Sequence, residues 1–180
     1  EFFDNIKNNK FKILYLLNSD NLKFQKNDEF IIYQGSHGDR GAEIADVILP
    51  SAAYTEENGL YQNLEGRVQE CRKASYPAGE ALESWKVLDK LSIAYKNKKL
   101  FNSFNTLREE VLKKIINFKS INELPVYKEP SKKIDNIFNN EKIFINSIDY
   151  YFSNRISRAS KVMSECRDIK IRHLKSGTNN

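Results

Sequence analysis

Side chains that could carry acid–base or phosphate chemistry are concentrated in residues 33–69, which read YQGSHGDRGAEIADVILPSAAYTEENGLYQNLEGRVQ. His37, Asp39 and Arg40 lie among closely spaced glycines, where they could move a proton or hold a phosphate. A Walker loop needs Gly-Lys followed by Ser or Thr, and a dinucleotide fingerprint needs glycines at fixed offsets. Neither pattern occurs, so the glycines instead predict tight turns between a strand and a helix, with Asp39 and Arg40 hydrogen-bonded locally. These glycines are Gly35, Gly38 and Gly41.

The acidic side chains of the same stretch could act as a catalytic pair only if two of them faced each other across a cleft. They are Glu56, Glu57, Glu65 and Glu70. Glu65 and Arg67 flank Gly66, which predicts a charge-assisted pair that pins a turn. No serine or cysteine has the sequence context of a nucleophile elbow. The residues alone therefore predict a soluble α/β domain without a visible active site.

Metal and cluster chemistry has few possible ligands in this sequence. Cys71 and Cys166 are far apart without Cys-x-x-Cys spacing, and His37 and His173 are distant from both. Zinc and iron–sulfur sites need more ligands than two isolated thiols provide. The pattern predicts two reduced thiols and no metal site.

Composition excludes some classes of protein and leaves one alternative open. Among 180 residues, 40% are hydrophobic and 29% charged, which is typical of a soluble globular chain with one domain, with or without a docking tail. No apolar run approaches the roughly 18 residues that a membrane-spanning helix needs. The net charge of +5 permits a nucleic-acid-binding hypothesis, but the lysines are scattered, which favours solvated surfaces. The chain starts at Glu1 rather than Met, so we expect it to be a piece of a longer one.

The first half of the chain has the pattern of a parallel sheet. Short apolar runs at 11–17, 30–35 and 46–50 predict strands, and residues 38–45 predict one or two helical turns between the second and the third. Pro50 ends the third strand. Such a sheet has its ligand edge at the carboxyl ends of the strands.

Later elements follow from turn and helix signals. The Asn58-Gly59 pair predicts a turn, because both residues tolerate positive φ, followed by a β-ribbon through about residue 74. Apolar residues repeating between 82 and 95 predict an amphipathic helix. A second helix is predicted to begin at Thr106, where TLRE fits a capping box, with an apolar face. That face comprises Leu107, Val111, Ile115 and Phe118.

The C-terminal part changes character. Prolines among charges in LPVYKEPSKK predict a linker, and the sequence after it predicts an extended segment and a short helix that dock back on the domain or on a neighbour. The predicted boundaries are residues 1–118 for the domain, 119–172 for linker and docking tail, and 173–180 for a disordered end.

A family resemblance is carried by ADVILPSAAYTEENGLYQNLEGRVQ, which is similar to a block of the molybdopterin-oxidoreductase superfamily. With YQGSHGDRGAEI before it, Trp85 in ESWKVLDKLS and ISRASKVMSEC near the end, the chain resembles the C-terminal portion of the large iron–sulfur subunits of NADH–quinone oxidoreductase, respiratory complex I. The similarity runs from about Phe11 to Arg167.

The resemblance implies an incomplete, mainly parallel sheet with flanking helices and an extended tail, used as scaffold. It implies no catalytic, cofactor-binding or metal-binding residue in this segment; the 2Fe–2S and 4Fe–4S clusters would be held by an N-terminal part, within a complex that transfers electrons from NADH to quinone. The implied partners are other hydrophilic-arm subunits, at the cytoplasmic face of a bacterial inner membrane or the matrix side of a mitochondrial one, without nucleic acid or membrane insertion. The alternative is a fragment of a molybdenum-dependent formate dehydrogenase-like oxidoreductase.

The residues that match the family block are assigned a structural role. They are Gly35, His37, Gly38, Asp39, Arg40, Gly41, Asp46, Pro50, Glu56, Gly59, Asn63, Glu65, Gly66 and Arg67. The sequence departs from the family pattern at Ser36, Ser51, Leu60 and Leu64. Leu60 replaces a threonine whose hydroxyl could satisfy the turn, which argues further against a cofactor here.

Overall fold

The computed structural model describes residues 2–22, 24–114, 121–126, 142 and 149–175. Its elements confirm a mixed α/β class with a small parallel sheet and helices. In chain order they are α1 Phe2–Lys7, β1 Ile13–Leu17, β2 Phe30–Gly35, α2 Arg40–Glu43, β3 Val47–Pro50, β4 Gly59–Gln62, β5 Val68–Cys71, α3 Ser84–Lys96, α4 Phe104–Lys114, a 3₁₀ turn Tyr150–Phe152, α5 Arg155–Ala159 and α6 Lys161–Lys175.

The main sheet has the order β1-β2-β3, and both pairings are parallel. Tyr15 pairs with Ile32, which in turn pairs with Val47. The three predicted strands are therefore confirmed, each within two residues of its predicted start. Because all three run in one direction, the segments that follow Leu17, Gly35 and Pro50 meet at one edge.

The two faces of this sheet are covered to different extents. Leu14, Leu16, Ile31 and Tyr33 are buried on that face against Ile6 of α1 and against residues of and next to α2. Alternation along the strands places another set of apolar side chains on the opposite face. There Ile13 is 63%, Leu17 44% and Phe30 46% exposed. The same face also carries Gln34, which is fully buried, so it is open mainly along β1 and at the start of β2. Parallel sheets are normally covered on both faces.

The predicted ribbon forms, but its turn is not where the sequence suggested. β4 and β5 pair antiparallel, and the chain reverses between Asn63 and Arg67, where Gly66 has φ +87°. Neither Asn58 nor Gly59 adopts positive φ. Gly59 starts β4, and the Asn58 side chain accepts a hydrogen bond from the Lys73 backbone at 3.0 Å, which ties the base of the ribbon. The predicted turn at this pair was therefore wrong.

The two predicted amphipathic helices are α3 and α4. α3 ends at Lys96, and Asn97 follows in the left-handed conformation that commonly terminates a helix. α4 begins at Phe104, two residues before the predicted start. Ser103 and Thr106 exchange side-chain to backbone hydrogen bonds of 3.1 and 3.3 Å, so Ser103 is the capping residue and Thr106 its partner within the helix.

The tail contains more helix than predicted. Residues 155–175 form the short α5 and the 15-residue α6 in place of one short helix. Asn154 caps α5 through a 2.9 Å hydrogen bond from the Ser157 backbone, and Ser160 separates the helices with an extended conformation. Most of the predicted linker, Ile115, Phe118 and residues 176–180 lie outside the described residues.

Candidate functional site at the carboxyl edge of the sheet

The segments that follow β1 and β2 bring polar side chains together at the carboxyl edge of the sheet. Asp20, which is only 7% exposed, accepts a hydrogen bond from the Tyr33 hydroxyl. Arg155 of α5 donates through Nη1 to Asn18 Oδ1 at 2.8 Å and to Asp20 Oδ2 at 3.1 Å. Arg155, which is 135 positions away in the sequence, thus provides a hydrogen-bond donor to the second oxygen of this carboxylate.

Tyr33 fits at this edge because its neighbours have no side chains. A Cβ on Gly35 would lie 2.1 Å from the Tyr33 hydroxyl oxygen, and a Cβ on Gly41 would lie 2.7 Å from the Tyr33 ring and 2.9 Å from the Ser19 carbonyl oxygen. Burial raises the pKa of Tyr33 well above its ordinary value, and the hydrogen bond and negative charge of Asp20 raise it further. The hydroxyl therefore stays protonated and acts as a fixed donor.

One residue of the loop between β2 and α2 has a strained backbone conformation. Gly38 has φ +75°, which glycine adopts freely, whereas Asp39 has φ +66° and ψ −159°. That region is almost restricted to glycine and costs another residue about 1–3 kcal/mol. The Asp39 carboxylate accepts a hydrogen bond from Nε of Arg158, whose Nη1 also donates to the Phe152 carbonyl oxygen at 3.1 Å. The predicted local bonding of this carboxylate was wrong, because its partner is 119 residues away.

His37 and Arg40 are exposed on the same loop. The ring Nδ1 of His37 lies 2.8 Å from Oγ of Ser36, its neighbour in sequence. Asp39 would be the obvious carboxylate to orient the ring, but it is bonded to Arg158. The loop therefore has the histidine and the carboxylate of an acid–base pair without the geometry of one.

Two residues of the family block fix the sheet itself. Asp46 accepts a 2.7 Å hydrogen bond from the Ile31 backbone and forms an ion pair with Lys26, whose Nζ lies 2.5 Å from Oδ1. Asp46 therefore ties the start of β3 to β2. Both contacts, with the backbone bond the larger cause, lower the pKa of Asp46. Pro50 ends β3, and its carbonyl oxygen accepts from the Leu82 backbone at 3.4 Å.

The acidic residues before β4 serve as structural acceptors. Glu56 accepts from the Ala53 backbone at 3.0 Å. Glu57 accepts from the backbone of Ser84 at 2.7 Å and from its hydroxyl at 3.1 Å, and so caps the first turn of α3 from a distant loop. Burial is the main cause that raises the pKa of Glu57, and nearby Glu83 adds to it.

The turn of the ribbon is held by Asn63. Its Oδ1 accepts from the Arg67 backbone at 2.9 Å, and its Nδ2 donates to Glu65 at 3.3 Å. The ion pairs of the described residues do not include the predicted one between Glu65 and Arg67. Nε of Arg67 is instead buried without a hydrogen-bond partner in that part of the chain.

Sequence reasoning missed the residues that complete this edge. They are Asn18, Asp20, Tyr33, Gln34, Arg155 and Arg158. Gln34 is fully buried, accepts from the Tyr15 hydroxyl and donates to the Ser84 carbonyl oxygen at 3.0 Å. The available signal was the spacing in NRISRAS, which puts two arginines three residues apart on one helical face.

The family of the chain follows from its similarity to known proteins. The family model described as molybdopterin oxidoreductase matches residues 1–94, slightly more than half of the chain. The chain therefore belongs to the molybdopterin oxidoreductase family.

Particular relatives are similar over most of the chain. It is 38% identical to an NADH-quinone oxidoreductase subunit of Rickettsia bellii (strain RML369-C), over 88% of this chain and 24% of that protein. It is 35% identical to the NADH-ubiquinone oxidoreductase 75 kDa subunit of Reclinomonas americana, over 93% of this chain and 25% of that protein. The mitochondrial NADH-ubiquinone oxidoreductase 78 kDa subunit of Candida albicans is 41% identical to it, over 87% of this chain and 24% of that protein. The predicted resemblance is confirmed, and the chain spans about a quarter of these relatives' length.

The family implies a pterin cofactor, whose phosphate would need cationic or N–H donors. At the described carboxyl edge, Asp20 and Asp39 present negative charge, and Arg155 and Arg158 are already bonded to them. A phosphate placed there could bind these guanidinium groups only by breaking ion pairs that are already formed, which would leave a carboxylate unpaired beside it. The residues of this edge therefore do not fit the anionic part of that group.

The described residues offer neither a metal centre nor a membrane span. Within the described ranges, no group of three or more His, Cys, Asp or Glu side chains is arranged to hold a metal ion. Cys71 and Cys166 are both free thiols. None of the helices described is long and apolar enough to cross a membrane.

Proposed function

We propose that this chain is the scaffold portion of the large iron–sulfur subunit of NADH–quinone oxidoreductase, respiratory complex I, and that it performs no catalysis itself. The whole subunit would carry 2Fe–2S and 4Fe–4S clusters on its N-terminal part and take part in electron transfer from NADH to quinone. The relatives named for that complex support this proposal. They do not favour the alternative of a molybdenum-dependent formate dehydrogenase-like fragment.

The observation that carries the scaffold role is the use of the family block. Its polar residues accept hydrogen bonds within the fold: Asp46 from β2, Glu56 from the Ala53 backbone, and Asn63 across the ribbon turn. Side chains engaged in such bonds are held in place and already paired, which suits a framework better than a reaction centre. The structural role assigned to the remaining block residues is part of this proposal.

The open face of the sheet supports assembly with further protein. Ile13 and Phe30 are register partners on neighbouring strands, and with Leu17 they form an exposed apolar surface. In parallel sheets such a surface is covered by helices, and its burial would stabilise the assembly by roughly 25 cal/mol per Å². We propose that another part of the same large subunit covers it, and that residues 119–172 dock on the domain or on a neighbouring hydrophilic-arm subunit. Residues 1–118 would form the domain; of the end predicted at residues 173–180, residues 173–175 belong to α6.

The location follows from the same proposal. The subunit would be a peripheral part of a membrane complex, at the cytoplasmic face of a bacterial inner membrane or the matrix side of a mitochondrial one. It would contact protein subunits, without nucleic acid and without inserting into the lipid.

The proposal is tested by the size of the native polypeptide and by whether it co-migrates with NADH dehydrogenase activity. An antibody against residues 161–175 is used on the source membrane fraction, separated under native and denaturing conditions. We expect a polypeptide several times larger than 21.0 kDa that co-migrates with NADH dehydrogenase activity. A 21.0 kDa polypeptide that never co-migrates with that activity would refute it.

A pair of substitutions identifies the covered surface within that complex. Ile13→Lys with Phe30→Glu keeps a favourable cross-strand pair but makes the open face charged. We expect this variant to lose co-migration with NADH dehydrogenase activity. Tyr95→Glu, at an exposed position of α3, serves as the control and should assemble normally.

A further inference from the structure

Two arginines of α5 bridge the tail and the sheet edge. Arg155 reaches Asn18 and Asp20 after β1, and Arg158 reaches Asp39 after β2. The two arginines are one helical turn apart, so one short helix presents both guanidinium groups to two strand ends. All four side chains of these ion pairs are at most one quarter exposed, so solvent screens them less than typical surface pairs.

The segment that carries the arginines, residues 149–175, is organised within itself. Asp149 pairs with Arg167 at 2.5 Å, and the guanidinium of Arg167 lies 4.8 Å from the centre of the Phe152 ring. Lys170 lies over the ring of Tyr151 at 5.6 Å. These contacts fold the 3₁₀ turn against α6, and we call this unit the C-terminal strap. A unit that is packed internally can move as one body when its bonds to the sheet open.

The strained loop points to a role for the second bond. The positive φ and extended ψ of Asp39 are unfavourable for a residue with a side chain, and the surroundings must hold it there. Arg158 binds the carboxylate of this residue and a carbonyl oxygen of the strap at the same time. The loop conformation and the position of the strap are therefore connected through a single guanidinium.

We propose that Arg155 and Arg158 form a two-point latch that closes the C-terminal strap over the carboxyl edge of the sheet, and that the strained conformation of Asp39 persists because Arg158 holds it. The latch occupies with guanidinium groups the edge where this kind of sheet usually takes its ligand. Opening it would expose Asp20 and Asp39 and release the strap as a unit. The latch is a property of this chain and does not depend on its assembly into a complex.

Hydrogen exchange of the isolated 180-residue chain tests the latch. Arg155→Gln and Arg158→Gln should each speed amide exchange in residues 155–175 and 36–41 by about tenfold or more, because opening becomes easier. Exchange in β1 and β2 should change much less. Arg172→Gln, which removes the same charge from an exposed site on α6, is the matched control and should leave exchange unaltered. Equal protection of the strap in all four chains would overturn the proposal.

A second experiment isolates the strain. Asp39→Gly in the wild-type chain removes the ion pair and should lower the midpoint of urea unfolding. In the Arg158→Gln chain there is no pair left to lose, and glycine relieves the backbone, so the same substitution should raise the midpoint. The same sign in both backgrounds would show that Arg158 does not hold the strain.

A measurement that needs no destabilised variant covers the case in which the glutamine chains fail to fold. In the wild-type chain the Nε–H of Arg158, assigned through its bonds to the Arg158 backbone, should exchange with water much more slowly than the Nε–H of exposed Arg172. Exchange as fast as that of Arg172 would mean that the latch is open in solution, and the proposal would be wrong. Failure of the proposed complex I role would leave all three results unaffected.

Discussion

At the residue scale, glycine and aspartate positions of the family block owe their identity to close contacts. Gly35 and Gly41 leave the space that the Tyr33 ring fills, and Tyr33 in turn directs its hydroxyl to Asp20. Asp46 supplies two acceptors where β2 and β3 begin to pair. Each of these roles depends on one missing or one charged group, so single substitutions can test them.

Replacing Gly41 tests the tyrosine packing. Gly41→Ala places a Cβ 2.7 Å from the Tyr33 ring and 2.9 Å from the Ser19 carbonyl oxygen, and backbone atoms cannot yield easily. We expect the free energy of unfolding to fall by about 1–3 kcal/mol, measured by urea denaturation. Gly59→Ala is the control, because its Cβ meets only the ring of Tyr61 at 3.0 Å, which can turn aside. Similar losses for both variants would contradict the packing argument.

Acid stability tests Asp46. Its pKa is lower in the folded chain than in the unfolded one, mainly because it accepts the Ile31 N–H and secondarily because of Lys26. The stability that it contributes is therefore present above its unfolded pKa of about 3.9 and is lost as the pH falls through the folded pKa. Asp46→Asn keeps an oxygen acceptor without the charge, so it should flatten the fall in unfolding midpoint below about pH 4. If the unfolding midpoint of this variant fell with pH as it does in the wild-type chain, groups other than Asp46 would cause the acid sensitivity.

At the element scale, the strands and helices could be predicted from the local sequence, whereas the turn of the ribbon and the cap of α4 could not. The segments Phe30–Gly35 and Val47–Pro50 are β-strands because short apolar segments rich in β-branched residues cannot form a stable helix of that length. The ribbon turn was misplaced because Asn-Gly is a statistical turn signal, and here the Asn58 side chain is used to bond Lys73. The cap of α4 was misplaced because Ser103 and Thr106 can both cap a helix, and only the backbone conformation decides between them.

The partners of Asp20 and Asp39 could not be predicted, because Arg155 and Arg158 are more than a hundred residues distant in sequence. Local patterns carry no information on a pairing across so long a separation. The sequence predicts a docking tail and indicates which edge of the sheet is available, but it does not name the residues that would join them. Only the folded arrangement identifies the specific arginines.

The cap of α3 provides a prediction about an element. Glu57→Ala removes the acceptor for the Ser84 backbone and hydroxyl and should cost about 1 kcal/mol of unfolding free energy. Glu57→Gln keeps an acceptor and should cost less. Because burial raises the folded pKa of Glu57, the wild-type contribution is fully present below the unfolded pKa and declines as the pH rises through the folded value. The glutamine variant should lack that decline, as thermal unfolding at about pH 4–8 would show.

At the scale of the whole molecule, one face of the sheet packs into the core and the other is only partly covered. The core residues Leu14, Leu16 and Ile31 pack toward α1 and α2, and Tyr33 lies between them and the strand ends. The opposite face leaves Ile13, Leu17 and Phe30 partly in water, although complete burial of such side chains is favourable by about 1.5–3 kcal/mol each. The isolated chain therefore carries an apolar surface that is complete only when other protein covers it.

Self-association of the purified chain tests that conclusion. We expect the wild-type chain to sediment as dimers or larger species at micromolar concentration, because the open faces of two copies can bury each other. Ile13→Lys with Phe30→Glu should shift it toward monomer, while the cross-strand ion pair and the untouched core preserve the fold. Tyr95→Glu changes an exposed residue away from the sheet and should leave the sedimentation profile as it was. A monomeric wild-type chain that unfolds in a single cooperative step would mean that the open face needs no cover, and that the domain is more independent than the scaffold proposal requires.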